Sequence, residues 1–303
     1  MIDEQFMARH DIATLRKTSS FRAPRLRASL SSYLMSIEAL TPSRPRGFTL
    51  VELIVVIVIV GILSALGGLI ITNHMEGYAG MRRRAELVDS AESALRRMQR
   101  DIRAALPNSV EPFKSNRAIS FLHTSGGGRY RSEPPGKILH FDQKDDSSDM
   151  IGRFYNASAI TTNSSICVFN TGQPPANAYN GTHISPITNV STGTNSSHRI
   201  EFQPIKFPYS SPYQRFFVVD SQVCYVLSDG ELIRYERGSE DIVAPKDCPS
   251  GNGDLLTRHV HNATFTYHPG TPSRSGLMTL ELTLEDDGER VSLLHQIHVL
   301  NFP

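Results

Sequence analysis

An uncharged run of 19 residues near the amino terminus most constrains what this chain can fold into. The run extends from Leu53 to Ile71, and Ser64 is its only polar side chain. A helix rises about 1.5 Å per residue, so roughly 20 apolar residues cross the hydrocarbon core of a bilayer. The stretch Leu50–Ile71 is long enough when Glu52 lies near the interface. The sequence therefore predicts a membrane helix, or a helix that is buried in an assembly.

Glu52 distinguishes this run from ordinary export signals. A cleaved secretory signal has a shorter apolar core and small residues at its exit, whereas Gly67 and Gly68 are followed here by more apolar residues. A plain signal anchor explains the basic residues before the run, but it does not explain an acid at its start. A buried, unpaired carboxylate is costly, so we interpret Glu52 as a functional residue.

The residues that lead to this acid resemble a known processing signal. They read Gly47-Phe48-Thr49-Leu50-Val51-Glu52. This segment resembles the cleavage and methylation signal of type IV prepilins and of type II secretion pseudopilins. The resemblance implies that a membrane aspartyl peptidase, the prepilin peptidase, cuts between Gly47 and Phe48 and N-methylates Phe48. It also implies that other major and minor pilins bind the chain through its amino-terminal helix.

The same resemblance places Glu52 at the family's acid position. Methylation leaves the new α-amine of Phe48 cationic, so Glu52 of one subunit can pair with the Phe48 ammonium of its neighbour. Coulomb attraction at about 4 Å is several-fold stronger in an apolar filament core than in water. Slippage of one helix along the other would leave two buried charges unpaired. We therefore expect the pair to set the axial register of the assembly.

Residues 1–47 are expected to form a leader that is removed. They carry eight Lys or Arg and four acidic residues, a net charge of +4, whereas the whole chain carries +1. A basic segment before a membrane span stays in the cytoplasm. We therefore predict a single-pass protein with an exported head, and the resemblance implies that it lies in the bacterial inner membrane, that the head is periplasmic and that the protein enters a pilus on assembly. The family's leaders are often far shorter, and Met35 begins a thirteen-residue version, so both starts remain open.

A proline-free stretch from 48 to 106 predicts one long helix that Pro107 ends. Its first part, 48–72, is apolar all round and is the predicted transmembrane and filament-core helix. Its second part, 73–106, is amphipathic, which predicts a helix packed on a globular head. The apolar stripe consists of Leu87, Ala91, Ala94, Leu95, Met98, Ile102, Ala105 and Leu106. The polar residues between them are Arg96, Arg97, Gln99, Arg100 and Asp101.

Residues 107–303 alternate between short strands and polar loops. This pattern predicts a mostly antiparallel β-sheet head and, with the helix, an α+β fold. The resemblance implies that this fold is pilin-like. Asp229-Gly230 predicts one hairpin turn, and 285–289 a second. Polar stretches at 157–165 and 172–197 predict surface loops. The predicted strands are 119–123, 138–142, 151–155, 165–170, 199–203, 215–220, 222–227, 231–236, 259–268, 276–284 and 291–301.

The first predicted hairpin carries a second resemblance. Its sequence from Val223 to Tyr235 is similar to a strand pair, Y-x-L-x-x-G-x-L-x-R, of the J-type pseudopilins and of the W- and O-type minor pilins. The resemblance implies a minor type IV pilin that enters or primes a pilus used for adhesion or motility. The resemblance is close to the O-type minor pilins of mannose-sensitive haemagglutinin (MSHA) pili, with the W-type pilins near them. The alternatives are a J-type pseudopilin of type II secretion and a membrane-anchored adhesin or receptor module.

Three cysteines allow one disulfide in an oxidising periplasm. Cys224 and Cys248 lie closest in sequence, and we favour that pair. A bridge from Cys167 to either of them remains open. No C-x-x-C spacing occurs, so the sequence does not predict a zinc site.

No cluster of polar residues predicts catalysis or a cofactor. P-loop, G-x-S-x-G and H-E-x-x-H motifs are absent, so we expect no enzyme. The acidic stretch Asp142–Asp149 is interpreted as a solvated turn, with calcium binding as the alternative. His259 and His261 are expected on one face of a strand, where they could share a metal. The basic cluster Arg82–Arg84 is small and is interpreted as a solvated or headgroup-facing patch, so nothing indicates nucleic-acid binding.

Overall fold

The computed structural model describes most of the chain after residue 46. The described residues are 47–154, 160, 163–242, 244–248, 251–270 and 274–300, without the side chains of 68–73. The predicted leader lies outside them except for Gly47, as do most of the predicted loop 157–165 and the last residue of the predicted strand 291–301. The contacts within the chain divide it into two units, residues 1–61 and 62–303, which are described separately.

One helix, α1, extends over Leu50–Arg103 and has 54 residues. It is shorter than the predicted 48–106 at both ends. At its start, the side chain of Thr49 accepts a hydrogen bond from the helix and marks the boundary. At its end, the backbone closes into a tighter turn, because the N–H of Ala104 bonds the carbonyl of Asp101 three residues back. Pro107 follows this turn, as the sequence predicted.

The head consists of two antiparallel sheets. The larger sheet has the order β1-β2-β7-β4-β5-β6-β3, with β8 paired to β7 and β9 paired to β8, and the smaller has the order β10-β11-β12. An apolar helix followed by a mostly antiparallel β-sheet domain confirms the α+β, pilin-like layout. The strands are β1 (Glu111–Phe113), β2 (Ala118–Arg129), β3 (Asp145–Asp149), β4 (Ser165–Val168), β5 (Ile184–Thr192), β6 (His198–Ile205), β7 (Arg215–Ser228), β8 (Glu231–Gly238), β9 (Asp254–Thr257), β10 (Val260–His268), β11 (Gly276–Asp286) and β12 (Glu289–Val299).

Both predicted hairpins form. Strand β7 pairs with β8 around Asp229-Gly230, and β11 pairs with β12 around Asp287-Gly288. The φ angles are 50° and 78° in the first turn and 45° and 84° in the second. Two successive positive φ angles match the twist of the flanking strands, and Asp-Gly is a favoured pair for such a turn.

The predicted apolar stripe of α1 forms the centre of the largest core. All eight predicted stripe residues are buried. Within the unit 62–303 seven of them share a core with Phe121 and Tyr225 of the larger sheet and with Phe265 and Leu280 of the smaller one, and Leu106 belongs to a separate cluster with Leu122 and Val219. Burial of each large apolar side chain contributes about 1.5–3 kcal/mol. The stripe therefore fixes the second part of the helix to the sheets.

Several strand predictions were wrong. The two predicted strands at 215–220 and 222–227 form one strand, β7, which passes through the polar pair Ser221-Gln222 without a break. Gln222 lies in the interior because its side-chain amide donates to the hydroxyl of Ser120 over 3.1 Å. No strand covers the predicted 138–142, or the described part of 151–155.

Two strands lie where the sequence predicted a turn or a loop. Strand β5 lies inside the predicted loop 172–197, and β3 coincides with the end of the predicted acidic turn. Polar side chains of these strands find partners inside the head, for example Ser185, whose hydroxyl donates to the carbonyl of Gln203 over 2.7 Å. Composition alone does not reveal such partners.

Candidate functional site

The first candidate site is the start of α1. Gly47, Phe48 and Thr49 are not helical, and Glu52 lies in the first helical turn. The N–H of Glu52 donates to the hydroxyl of Thr49 over 3.2 Å, and the N–H of Leu53 donates to the carbonyl of Thr49 over 3.1 Å. Thr49 is thus the N-cap of the helix. An acid in the first turn also interacts favourably with the helix dipole.

The surface of this segment is almost entirely apolar and exposed. The side chain of Phe48 is 74 % exposed. The window Leu50–Gly67 has a mean hydropathy of 2.8, and none of it is buried. By length and composition, the helix could cross a membrane. Exposed apolar surface of this extent needs lipid or other helices to cover it.

Gly47 has no structural reason to be glycine within the described part of this chain. A Cβ placed on Gly47 would meet no other atom within 4 Å. Its φ is not in the left-handed region that favours glycine. A requirement for glycine at this position would therefore come from a molecule that binds the segment.

The second candidate site lies at Asp101, a buried residue near the end of α1 that contacts the larger sheet of the head. The hydroxyl of Tyr225 and the Nε of Arg234 both donate to Oδ2 of Asp101, over 2.7 and 2.8 Å. All three residues are buried. Tyr225 and Arg234 are the tyrosine and the arginine of the hairpin pattern Y-x-L-x-x-G-x-L-x-R. The hairpin is thus bound to the helix through one carboxylate, and we call these three residues the helix clamp.

Charge stabilises the helix clamp. Burial alone would raise the pKa of Asp101, but the hydrogen bonds from Tyr225 and Arg234 outweigh it and hold that pKa below its usual value. Burial and the neighbouring Asp101 raise the pKa of Tyr225. Arg234 also donates to Glu236 over 2.6 Å, and Arg97 lies 3.3 Å from Oδ1 of Asp101. The carboxylate of Asp101 is therefore ionised, and the guanidinium of Arg234 is paired with both Asp101 and Glu236.

The sequence placed Asp101 among the polar residues between the stripe positions and gave it no role. A signal was present, because Asp101 follows the stripe residues Ala94 and Met98 by seven and three positions and so lies on the same face. The arginine of the hairpin pattern was a further signal, because a buried guanidinium is costly without an anion close to it.

A histidine–aspartate pair lies close to the helix clamp. Nδ1 of His123 lies 2.8 Å from Oδ1 of Asp220, and both side chains are half-buried. The hydrogen bond from Asp220 raises the pKa of His123 above its usual value, although burial opposes the shift. The charged form of His123 is therefore favoured by folding.

This pair makes stability depend on pH. A raised folded-state pKa adds stability that is complete below the unfolded value of about 6.5 and is lost as the pH rises through the folded value. We expect the free energy of unfolding of the wild type, measured with denaturant, to decrease as the pH rises from 5.5 to 9. The contribution of this pair to the decrease should be less than about 1 kcal/mol, because the pair is partly exposed. His123→Gln should remove that component of the slope. Parallel curves for the two proteins would contradict the assignment.

One disulfide joins the first hairpin to the loop that follows it. Cys224 is bonded to Cys248, with their Cα atoms 5.6 Å apart, and this is the pair that the sequence analysis favoured. Cys167 is free and buried, and burial raises its pKa. A bridge to Cys167 is thus not formed in this structure.

A family-model comparison matches the first candidate site. Residues 42–68 match the prokaryotic N-terminal methylation motif. The match supports a type IV pilin-like or pseudopilin protein. No curated protein and no solved structure matches the chain.

The matched segment gives the pilin-like chain several coarse properties. The motif implies processing by a prepilin peptidase and assembly with other pilins. With the apolar helix it suggests membrane anchoring. It also suggests a structural protein rather than an enzyme. The match includes Gly47, Phe48 and Glu52, which are the residues that the sequence analysis selected.

The acidic stretch is a solvated bend, as predicted, only in its first part, where Asp142 is exposed. Asp145 and Asp149 are buried in β3. Asp145 Oδ1 lies 3.2 Å from Nζ of Lys137, and Asp149 accepts from Nε of Arg199 over 2.6 Å. Burial would raise the pKa of Asp149, but hydrogen bonds from Arg199 and Thr194 lower it well below its usual range. Asp145 and Asp149 therefore each have a cationic side chain of the same protein as a partner.

The predicted histidine pair does not lie on a regular stretch of strand, and its two members have different acidic partners. His259 precedes β10 with a φ of 58°, and a β-bulge between Val260 and Asn262 removes His261 from the regular register. Nδ1 of His259 lies 3.4 Å from Asp286, and Nδ1 of His261 lies 3.4 Å from Glu285. Among the described residues, no group of three or more His, Cys, Asp or Glu is arranged to hold a metal ion.

The basic cluster of the pilin-like chain is mostly solvated. Arg82 and Arg84 are exposed, and Arg82 forms a pair with Glu86 one turn later on the helix. Arg83 is partly buried and lies 2.7 Å from Asp287 in the turn between β11 and β12. These contacts neutralise part of the cluster.

Proposed function

We infer that this chain is a minor type IV pilin, of the type that serves MSHA pili. A prepilin peptidase cuts it between Gly47 and Phe48 and methylates Phe48, so that the leader, residues 1–47, is lost. The segment 48–72, which is helical from Leu50, crosses the inner membrane, the segment 73–106 continues the helix as far as Arg103, and the head, 107–303, lies in the periplasm. The subunit then enters or primes a pilus that acts in adhesion or motility. The observation that carries this proposal is the methylation motif on an exposed apolar helix.

Glu52 has a specific part in this proposal. It lies in the first turn of a helix whose neighbouring side chains are apolar and exposed. In a filament this surface would be covered by other helices, and the carboxylate would then need a buried cation. The methylated ammonium of Phe48 in a neighbouring subunit supplies one. A register in which each acid meets an amine leaves no charge unpaired.

The helix clamp supports the choice of a minor pilin or a minor pseudopilin. Tyr225 and Arg234 of the resembling hairpin meet on Asp101 of the helix. The pattern therefore has a physical role in this chain, which is to fix the head on its helix. A subunit that transmits force from head to filament core needs such a connection.

A J-type pseudopilin of type II secretion is the second candidate, because it carries a similar hairpin. The head of this chain is large for that class, which favours the pilus. Deletion of the gene separates the two functions. Loss of surface pili with normal protein secretion supports the pilus, and the opposite result supports the secretion system.

The processing site is tested by replacing Gly47. Gly47→Val should block cleavage and leave the full-length precursor in the membrane, because the peptidase would require glycine before the cut. Gly61→Val is a matched control, since a Cβ at Gly61 also meets no atom within 4 Å. Immunoblots of membranes with and without the peptidase give the result. Normal cleavage of the Gly47→Val precursor would contradict the proposed site.

A further inference from the structure

The start of α1 has an N-cap, Thr49, in the sequence order of a capping box. Thr49 is followed three residues later by Glu52, and the N–H of Glu52 bonds the hydroxyl of Thr49 over 3.2 Å. The carbonyl of Thr49 accepts the first intrahelical bond, from Leu53. A Ser or Thr that bonds the third helical N–H, with Glu at that position, is the order of a capping box. The helix therefore begins after Thr49.

The bond between Gly47 and Phe48 consequently lies outside the helix. Both residues are non-helical and exposed, and Thr49 separates them from the first helical residue, Leu50. A peptide bond in a helix has its carbonyl held in the hydrogen-bonded ladder, which hinders the approach of an attacking water in the required geometry. A bond outside the helix keeps its carbonyl accessible.

We propose that Thr49 is a positioning residue for processing: by capping α1 it holds the Gly47–Phe48 bond in the non-helical form that the peptidase binds. This inference rests on the proposed function, because it concerns the same cleavage. Thr49 does not touch the reacting atoms of the peptidase in this account. It acts through the conformation of the two residues before it.

The apolar environment strengthens this effect. Unsatisfied N–H groups are costly away from water, so a helix start near a membrane interface needs an acceptor. The hydroxyl of Thr49 satisfies the N–H of Glu52 only when the helix starts at Leu50. Without the hydroxyl, extension of the helix through Phe48 and Gly47 becomes more favourable. The fraction of precursor that the peptidase can bind then falls, which raises the apparent dissociation constant.

The test uses the full-length precursor in detergent with purified prepilin peptidase. The variants are Thr49→Ala and Thr49→Val, which lack a cap, and Thr49→Ser and Thr49→Asn, which retain one. Ser64→Ala is the matched control, because it removes a hydroxyl from the same helix without touching the cap. The loss of a cap is expected to raise KM about two- to fivefold with kcat unchanged. The KM values of Thr49→Ser, Thr49→Asn and the control should stay within about twofold of the wild-type value.

A structural readout accompanies the kinetics. The ¹³Cα chemical shifts of residues 47–50 should report helix extension in the Ala and Val variants and none in the Ser and Asn variants. A wild-type KM for Thr49→Val would overturn the inference. An equal rise of KM in Thr49→Asn and Thr49→Ala would also overturn it, because it would indicate that the peptidase recognises threonine directly. These results leave the proposed function intact. If the wild-type precursor is not cut at Gly47–Phe48, the proposed function itself fails.

Discussion

Replacing Asp101 by alanine should lower the free energy of unfolding of the head by about 3–5 kcal/mol, because it removes the buried carboxylate that faces the guanidinium of Arg234. Arg234 is 6 % exposed and would keep only the more exposed partners Glu236 and Asp254, which lie 2.6 and 3.8 Å from its Nη1. The hydroxyl of Tyr225 would also lose its acceptor. Denaturant unfolding followed by circular dichroism measures the effect.

The matched control for this prediction is Asp89→Ala. Asp89 lies on the same helix and is exposed, so its replacement should change stability by less than about 0.5 kcal/mol. The Asp101 contribution should also depend on pH. Because the folded-state pKa of Asp101 is lowered, the contribution is present above the unfolded value of about 3.9 and is lost as the pH falls through the folded value. A loss below about 1 kcal/mol for Asp101→Ala would show that the helix clamp does not hold the head on the helix.

Replacing Glu52 by alanine should leave membrane insertion and cleavage intact and reduce incorporation into filaments at least about tenfold. The methylated ammonium of a neighbouring Phe48 would then be buried without a counter-charge, and such a burial costs several kcal/mol. The alanine keeps the helix apolar, so insertion has no reason to fail. Quantitative blots of sheared filaments against membrane fractions measure the ratio.

Two further variants sharpen the Glu52 test. Glu76→Ala removes an exposed acid from the same helix beyond the apolar window and should assemble normally. Glu52→Gln keeps the size of the side chain without its charge and should assemble as poorly as Glu52→Ala. Normal assembly of Glu52→Ala would contradict the register pairing, whatever the processing of the chain.

The local features of this fold follow from the sequence. The long helix is predicted by the absence of proline from 48 to 106, and its buried stripe by the helical spacing of apolar residues. The two hairpins are predicted by Asp229-Gly230 and Asp287-Gly288, because few residue pairs adopt two positive φ angles. The methylation motif can also be predicted from the sequence, because it is a short continuous segment.

The features that depend on distant partners could not be predicted in this way. Strand β3 is made of Asp and Ser, and partners on other segments, among them Lys137, His140 and Arg199, make its burial possible. Asp101 is likewise one polar residue among several until Tyr225 and Arg234 meet it from 124 and 133 residues away. Pairings at such separations are set by the fold as a whole.

The central claim is tested most directly by intact mass and amino-terminal sequencing of the protein extracted from membranes, with and without the prepilin peptidase. We expect methylated Phe48 as the first residue, and only when the peptidase is present. An uncut chain that still carries residues before Gly47 in the presence of the peptidase would contradict it, and the protein would then be a membrane-anchored β-rich domain that does not enter a filament by this route.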